Sequence, residues 1–298
     1  MSMQSYWMSL FVIPKRIIKK VEVAIRAFLW KGPELGNGGA KVAWADLTFP
    51  KEEGGLGIRK LSEWNEALIS KFIWDIWSPT STSNWARWAR ANLLQGRSFW
   101  DIPITSTCSW AWRKILQLRE KVCLFIRYDI GDGCSTFLWF DYWLPLGPIQ
   151  STMGDRVIYD SRLRRDAKVS SIIRAGSWAW LVENSTGLIT LKKSIPTQII
   201  PHPDKEDCIV WTMHLGGYFS ISSAWKAFRV HRPLVEWASI VWFSGSLPKA
   251  SFILWLAIRG RLSTQDRLFN ISPAACCSLC GDNLEDHNHL FFTCAFSR

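Results

Sequence analysis

Near its C-terminal end the 298-residue chain runs Cys277-Ser-Leu-Cys280, eight residues, His289, four residues, Cys294. This C-x2-C-x8-H-x4-C spacing offers three thiolates and one imidazole, the soft donor set that a tetrahedral zinc ion takes. The segment around it is too short to bury a core of its own, so a bound metal has to supply its folding energy. Cys276 in place of Cys277 would give C-x3-C, but the x2 spacing with Gly281 directly after it makes the tighter turn. His287 could stand in for His289. His289-Leu-Phe-Phe-x-Cys294, however, reads as a short helix that puts His289 and Cys294 on about one side. Ordinary buried cysteines beside a surface histidine are the competing reading of these residues. Four protein ligands close the coordination shell, so a single Zn2+ held by Cys277, Cys280, His289 and Cys294 would be structural and would activate no water.

An apolar content of 48% and a mean hydropathy near zero describe a folded chain. Its 20 tryptophans are far above ordinary usage, and most must pack in a core or between domains, because so many exposed indoles would aggregate. Lys and Arg total 36 against 25 Asp and Glu, a net charge of +11. Together with the aromatic content, that excess favours a nucleic-acid backbone as partner over a merely solvated basic surface. Cys108, Cys123, Cys134 and Cys208 are scattered singly and read as free buried thiols. Residues 1–13 lack the basic start of a signal peptide, and the longest apolar run, Phe252–Ile258, is far too short to span a bilayer. These features predict a reducing compartment, nuclear or cytoplasmic, and no membrane partner.

Local patterns predict a mainly α chain with short β-hairpins, an α+β fold. Pro14 sits at a helix N1 position, and Ile17, Ile18, Val21, Ala24, Ile25, Phe28 and Leu29 recur at helical spacing over 15–30. The other side of that helix carries Lys15, Arg16, Lys19, Lys20 and Arg26 against one acid, Glu22, which makes it the leading candidate for phosphate contact. A second helix is expected over 62–77 with Ser62 as its N-cap, ended by Ser78-Pro79-Thr80-Ser81. A short one starts at Trp85, and another over 110–119 bears Arg113, Lys114 and Arg119, of which Arg113 and Lys114 are also expected to contact nucleic acid. Hairpins are expected about Gly131-Asp132-Gly133 and Gly216-Gly217. The polar stretch 148–203 reads as a linker. Ser222 or Ser223 should cap a helix through Phe228, followed by helices near 234–243, 248–258 and 263–269. Gly32–Gly39 reads as a flexible loop. Lys51–Ile58 is a glycine turn that lacks the Gly-Lys-Ser/Thr ending of a phosphate loop, which leaves no small-molecule substrate site in view. Turn chemistry and capping account for Asp129, Asp132 and Asp141 more simply than a metal site does.

In order along the chain come Gln4-Ser-Tyr-Trp-Met8, Phe28-Leu-Trp30, Trp44, Pro50-Lys-Glu-Glu-Gly-Gly-Leu-Gly57, Trp64-Asn65-x-Ala67, Ile130-Gly-Asp-Gly133 and Trp139-x-Asp141-x-Trp143. Pro248-Lys-Ala-Ser-Phe252, Trp255, Arg261-Leu-Ser-Thr264 and the Cys/His set follow. This succession resembles the region downstream of the polymerase core in plant non-LTR (LINE-type) retrotransposon reverse transcriptases, with the reverse-transcriptase zinc-binding domain at its end. The resemblance implies three segments: a thumb-like helical region at 1–105, a connector at 106–205 with a β-hairpin and the polar linker, and the zinc-binding domain at 206–298. It also implies RNA or an RNA–DNA hybrid as partner, the missing polymerase core as a second partner, and a nuclear location.

The chain has no adjacent Asp-Asp pair, which the polymerase of such elements requires, and no set of clustered carboxylates for two-metal phosphoryl transfer. No stretch after Cys294 could make a ribonuclease H domain. The expectation is therefore a non-catalytic piece that binds zinc and nucleic acid. The alternative is a zinc-stapled structural or protein-interaction module, favoured by the acidic character of Asp282, Glu285 and Asp286.

Overall fold

The structure, a computed structural model, describes residues 3–32, 39–78, 81–180, 185–267, 276–281 and 284–297. Most of the expected 32–39 loop, Pro79 and Thr80, the end of the expected 263–269 helix, and Asp282, Asn283 and Arg298 lie outside the described residues. Helices α1 (Met3–Leu10), α2 (Lys15–Lys31), α3 (Trp44–Leu47), α4 (Leu61–Trp77), α5 (Asn84–Ala89) and α6 (Trp110–Val122) come first. Strand β1 (Ile126–Asp129), helices α7 (Ile149–Met153) and α8 (Arg156–Ser161), and two-residue strands β2 (Ile173–Arg174) and β3 (Ser177–Trp178) follow. Helix α9 (Thr186–Ser194), strand β4 (Cys208–Trp211) and helices α10 (Ile221–Phe228), α11 (Ala238–Val241) and α12 (Pro248–Ile258) complete the order. About 49% of the described residues are helical, against four short strands among them, so the fold is mainly α. No helix among the described residues is long and apolar enough to cross a membrane.

Packing divides the chain into two compact units, each made of two separate stretches: Met1–Lys15 with Leu61–Arg229, and Arg16–Lys60 with Val230–Arg298. The expected segments 1–105, 106–205 and 206–298 are contiguous, whereas these units pair stretches distant in sequence.

In the first unit α4 carries the core. Ala67, Ile69, Ile73 and Ile76 recur at helical spacing and are buried with Leu116 of α6, Trp139, Trp211 and Ala224 of α10. Trp211 and Phe219 meet edge to face, with ring centroids 5.1 Å apart, and Trp74 stacks on Phe219. Several indoles thus fill the core as expected, although Trp7, Trp88 and Trp110 remain exposed. The helix starts at Leu61, so Ser62 lies inside it and is not its N-cap. Asn65 explains the Trp64-Asn65-x-Ala67 motif. Its buried amide nitrogen donates to the carbonyls of Met8 and Phe11, and its oxygen accepts from the Ile13 N–H, which satisfies backbone groups at and just after the end of α1.

Neither expected hairpin forms. β1 pairs antiparallel with β4, about 80 residues away, with Ile126 opposite Trp211 and Asp129 opposite Cys208. The cause is Asp207, whose buried carboxylate draws the 131–136 backbone around itself. Its Oδ1 accepts from the N–H groups of Gly131 (2.8 Å) and Gly133 (2.9 Å). Its Oδ2 accepts from the N–H and hydroxyl of both Ser135 (3.1 and 3.0 Å) and Thr136 (3.0 and 2.8 Å). Gly131 has to be glycine because a Cβ there would sit 2.1 Å from the Lys205 carbonyl oxygen. After β4 the chain closes a tight turn, Gly217 N–H to His214 carbonyl, and passes straight to Ser220, which caps α10 in place of the expected Ser222 or Ser223. Among the described residues, the one tight hairpin joins β2 to β3 through Ala175 and Gly176, both with positive φ.

The stretch 148–203 is not a linker. Ile149, Val157, Val169, Ile172, Leu188 and Leu191 are buried in the same core, set singly among polar residues on short elements where no long periodicity could mark them. Cys134 and Cys208 are exposed and Cys108 and Cys123 half-buried, so the expected buried thiols are not found there.

Asp141 is as buried as Asp207 but receives only the Ser98 hydroxyl at 2.6 Å and the Phe137 N–H at 2.8 Å. The two therefore titrate in opposite directions. Burial raises Asp141 from 3.8 to about 6, only partly opposed by Ser98 and Phe137. Burial also acts against Asp207, but Thr136, Gly131, Gly133 and Ser135 outweigh it and lower the carboxyl. A raised folded-state pKa contributes stability that is fully present below the unfolded value and lost as pH rises through about 6. Asp141→Asn can keep both hydrogen bonds, the amide oxygen accepting from Phe137 and its nitrogen donating to the Ser98 oxygen. The variant should gain about 2 kcal/mol over wild type in urea unfolding at pH 7 relative to pH 4. An unchanged difference between the two pH values would show that Asp141 does not titrate there.

The second unit is organised by the Pro50–Gly57 turn. Gly54 has φ +85°, and its carbonyl accepts from the Trp255 indole (3.0 Å) and the Arg259 guanidinium (2.9 Å). Buried Glu53 accepts from the Arg232 N–H at 3.1 Å. Trp255, Leu256, Val241, Leu47 and Val42 form the core of this unit, with Trp30 and Phe252 packed on it. Helix α12 begins at Pro248 as its N1 residue and spans 248–258 as expected. The expected helix at 234–243 shortens to α11, because Val235 donates its N–H to the Glu52 carbonyl instead of joining a helical turn.

Candidate metal centre

Cys277, Cys280, His289 and Cys294 converge in the second unit, with one ligand atom from each all within 4.8 Å of one another. The Cys277 and Cys294 sulfurs are 4.0 Å apart, and the Cys280 sulfur is 3.2 Å from His289 Nε2. A tetrahedron with metal–sulfur bonds of about 2.3 Å has sulfur–sulfur edges of about 3.8 Å. The cluster is already near the size that one metal ion would impose.

Local backbone geometry explains the convergence. Gly281 donates its N–H to the Cys277 carbonyl (2.8 Å) and takes φ +80°, which closes the Cys-x2-Cys turn. The Leu279 N–H points at the Cys277 sulfur at 3.4 Å, as favours a thiolate. The segment His289–Thr293 is a single wide helical turn that brings Cys294 back under His289, its Cys294 N–H donating to the His289 carbonyl at 2.8 Å. Asp286 caps that turn, accepting the His289 N–H at 2.6 Å. Asp286 was not among the expected site residues, although its place three residues before the histidine is a legible capping signal.

Charge also points to a cation. Burial raises the Cys294 thiol, but the N–H groups of Phe296 and Ser297 lead the opposing hydrogen bonds, and together these bring it down to about 6. The Cys280 N–H favours the Cys277 thiolate, yet burial and the neighbouring Cys280 and Cys294 thiols outweigh it and hold Cys277 above the ordinary thiol range. Three sulfurs this close cannot all ionise unaided. A divalent ion would relieve that repulsion, so the donor set fits zinc. With four protein donors the shell is full, and the metal's contribution is to tie the turn to the helix.

The rejected alternatives have other places. Cys276 is exposed and outside the cluster. His287 Nε2 accepts the Leu262 N–H at 3.1 Å, linking the metal segment to the chain that leaves α12. Among the described residues no second group of Cys, His, Asp or Glu is close enough to hold an ion. Asp129 pairs with Arg127, and Asp132 accepts the Cys134 N–H.

The expected nucleic-acid residues separate into two kinds. Lys15, Arg16, Lys19, Lys20 and Arg26 are all exposed on α2, while Ile18 on its other side is buried. Arg113 instead donates to the carbonyls of Thr105 and Ser106, and Lys114 to Gln117. Both are half-buried and serve the α6 region. Arg113 and Lys114 also belong to the first unit, whereas Arg16, Lys19, Lys20 and Arg26 belong to the second.

A family model described as zinc-binding in reverse transcriptase matches residues 219–298, the stretch that contains the Cys/His cluster. An Arabidopsis thaliana protein named "Putative ribonuclease H protein" is 26% identical over 306 aligned residues, covering 98% of this chain and 48% of its own length. An "Uncharacterized mitochondrial protein" of the same plant is 33% identical over 154 residues, covering 50% of this chain and 99% of that protein. The chain thus spans about half the length of the first of these relatives. No solved structure matches.

Proposed function

The chain belongs to the plant retrotransposon-derived reverse-transcriptase proteins that carry a zinc-binding domain, and on that premise we propose that it is a non-catalytic part of such a protein that binds a nucleic-acid backbone. The parent element is of the non-LTR (LINE) type, the ligand is RNA or an RNA–DNA hybrid, and the site of action is the nucleus. Cys277, Cys280, His289 and Cys294 hold one structural zinc, and the residues of α2 meet phosphates.

The observation that carries this reading is the row of five exposed cations, Lys15, Arg16, Lys19, Lys20 and Arg26, along one side of a 17-residue helix. Such a row neutralises successive phosphates and releases their counterions, which ties affinity to salt. If all five take part, the slope of log K against log salt should be about −3.5 to −4.5. Lys19→Gln with Lys20→Gln should make the slope shallower by about 2 in fluorescence anisotropy with a labelled RNA–DNA hybrid. A chain with zinc bound that shows no affinity at low ionic strength would end this proposal.

A second reading has its own support. Around the metal centre Leu279, Leu284, Phe291, Phe292 and Phe296 are exposed, beside Glu285 and Asp286. That surface is apolar and acidic, which suits a protein partner such as the polymerase core. Co-purification with the core that survives nuclease treatment would favour it.

A further inference from the structure

The first compact unit contains a groove of about 810 Å³ that none of the assigned residues uses. Phe11, Phe72, Trp85, Trp88 and Trp112 are among the residues lining it. They come from the segment after α1 and from α4, α5 and α6, so no stretch of sequence discloses the groove. Trp88 is 52% exposed and Phe11 50%. Trp7 stacks on Phe11, with ring centroids 6.0 Å apart and planes inclined by 23°, and continues the aromatic surface beyond the groove.

The polar groups of the lining are of a particular kind. Among its described residues Arg97 is the only one that bears a full charge, and no carboxylate is present. Asn92, Gln95, Thr105 and Thr107 supply amides and hydroxyls, which can both donate and accept. Three of these polar residues stand on or just after an irregular backbone. Arg90–Leu94 is a single π-helical turn, and Gln95 takes φ +51°, a conformation that a residue with a side chain rarely adopts. That break turns the chain so that Asn92, Gln95 and Arg97 line the groove beside Trp88.

Aromatic walls, amide and hydroxyl edges, one guanidinium and no acid form the chemistry that holds unpaired nucleobases. Bases stack on the rings, their edges find amides, and the cation meets the phosphate. The volume lies within the range of about 300–1,000 Å³ usual for ligand sites. A protein helix would use the apolar walls but leave the guanidinium without an anion.

We infer that this groove binds the unpaired bases of single-stranded nucleic acid, with Trp88 as a stacking platform and Arg97 as the phosphate contact. The inference rests on the nucleic-acid reading above and adds a second, base-dependent site to the backbone-dependent α2. Duplex binding should depend on α2 alone, whereas single strands should use both.

The test uses the full chain with zinc bound and four labelled probes in anisotropy titrations: a 12-mer of dT, a 12-mer of rU, a 12-mer with abasic sites throughout, and a blunt duplex. Trp88→Ala and Arg97→Ala alter exposed side chains, and Trp88→Phe serves as the rescue variant. The groove predicts that Trp88→Ala weakens binding of the dT and rU strands about 5- to 150-fold, the range for loss of one stacked base. Binding of the abasic strand and the duplex should stay unchanged, and Trp88→Phe should restore most of the loss. Equal affinity of wild type and Trp88→Ala for all four probes would overturn the inference and leave the groove to an apolar peptide. A loss of the same size on the abasic strand would overturn it as well. If the duplex binds with the α2-dependent salt slope while strands with and without bases bind alike, the groove fails and the backbone reading stands. If wild type binds none of the four, both fail.

Discussion

Removal of the metal is expected to unfold the C-terminal segment of the second unit while the first unit stays folded. Apparent zinc-binding free energies for four-ligand sites of this kind are about 10–16 kcal/mol near neutral pH. That is comparable to the whole stability of an ordinary domain, about 5–15 kcal/mol. The segment has little else. Cys277, His289 and Cys294 are its buried residues among those described, and five large apolar side chains around them are exposed. Chelation, or Cys277→Ser, should therefore abolish amide protection over 276–297 in hydrogen exchange. The loss should extend through the His287–Leu262 hydrogen bond to the exit of α12. Protection of α4 and α6 should persist, since their core draws on the first unit. Cys276→Ser should change nothing, because that thiol lies outside the cluster. Retention of protection in metal-free protein would mean that packing, and not coordination, holds the segment.

The second large effect concerns Asp207, which a sequence reading passes over. Asp207→Ala orphans four backbone N–H groups and two hydroxyls that converge on one carboxylate. Buried unsatisfied donors cost about 1–3 kcal/mol each, with partial relaxation, so a total of about 3–5 kcal/mol is expected. For a unit of this size that lowers the melting temperature by about 10 °C or more. Asp207→Asn should be nearly as damaging, because each carboxylate oxygen faces only donors and an amide NH2 would meet an N–H whichever way it turned. Asp141→Asn should be tolerated, since its two hydrogen bonds survive. A near-native melting temperature for Asp207→Asn would contradict this account of the 131–136 loop. The sign of the pH effect differs as well. The stability contributed by Asp207, whose pKa is lowered, is present above the usual carboxylate value and lost only as pH falls through its folded value.

The contrast between these two predictions reflects what a sequence displays. The Cys/His set is legible because its spacing is local: two residues inside one turn and four along one helical turn leave the side chains little choice but to meet. Helices α2, α4 and α12 are legible within one residue at each end, because Pro14, Pro248 and the repeat of apolar residues are near-neighbour signals. The pairing of β1 with β4 is not. The turn glycines of 131–133 suggest a return strand, and only a carboxylate more than 70 residues away redirects them. Residues 148–203 look polar because Val157, Val169, Leu188 and Leu191 enter the core singly from short elements. Arg113 looks like a phosphate ligand on a helical wheel, but its guanidinium is taken up by the carbonyls that precede α6. The aromatic groove is illegible for a related reason, since its walls are brought together only by the packing of four helical segments.

X-ray absorption at the zinc edge of the purified chain examines the coordination directly. The arrangement of Cys277, Cys280, His289 and Cys294 predicts one zinc per chain with three sulfurs at about 2.3 Å and one nitrogen at about 2.0–2.1 Å. No light oxygen ligand should be present, and Cys294→Ser should lose the third sulfur. A shell containing water or a carboxylate, four sulfurs, or a protein that folds its last 20 or so residues without binding zinc would contradict a closed structural site.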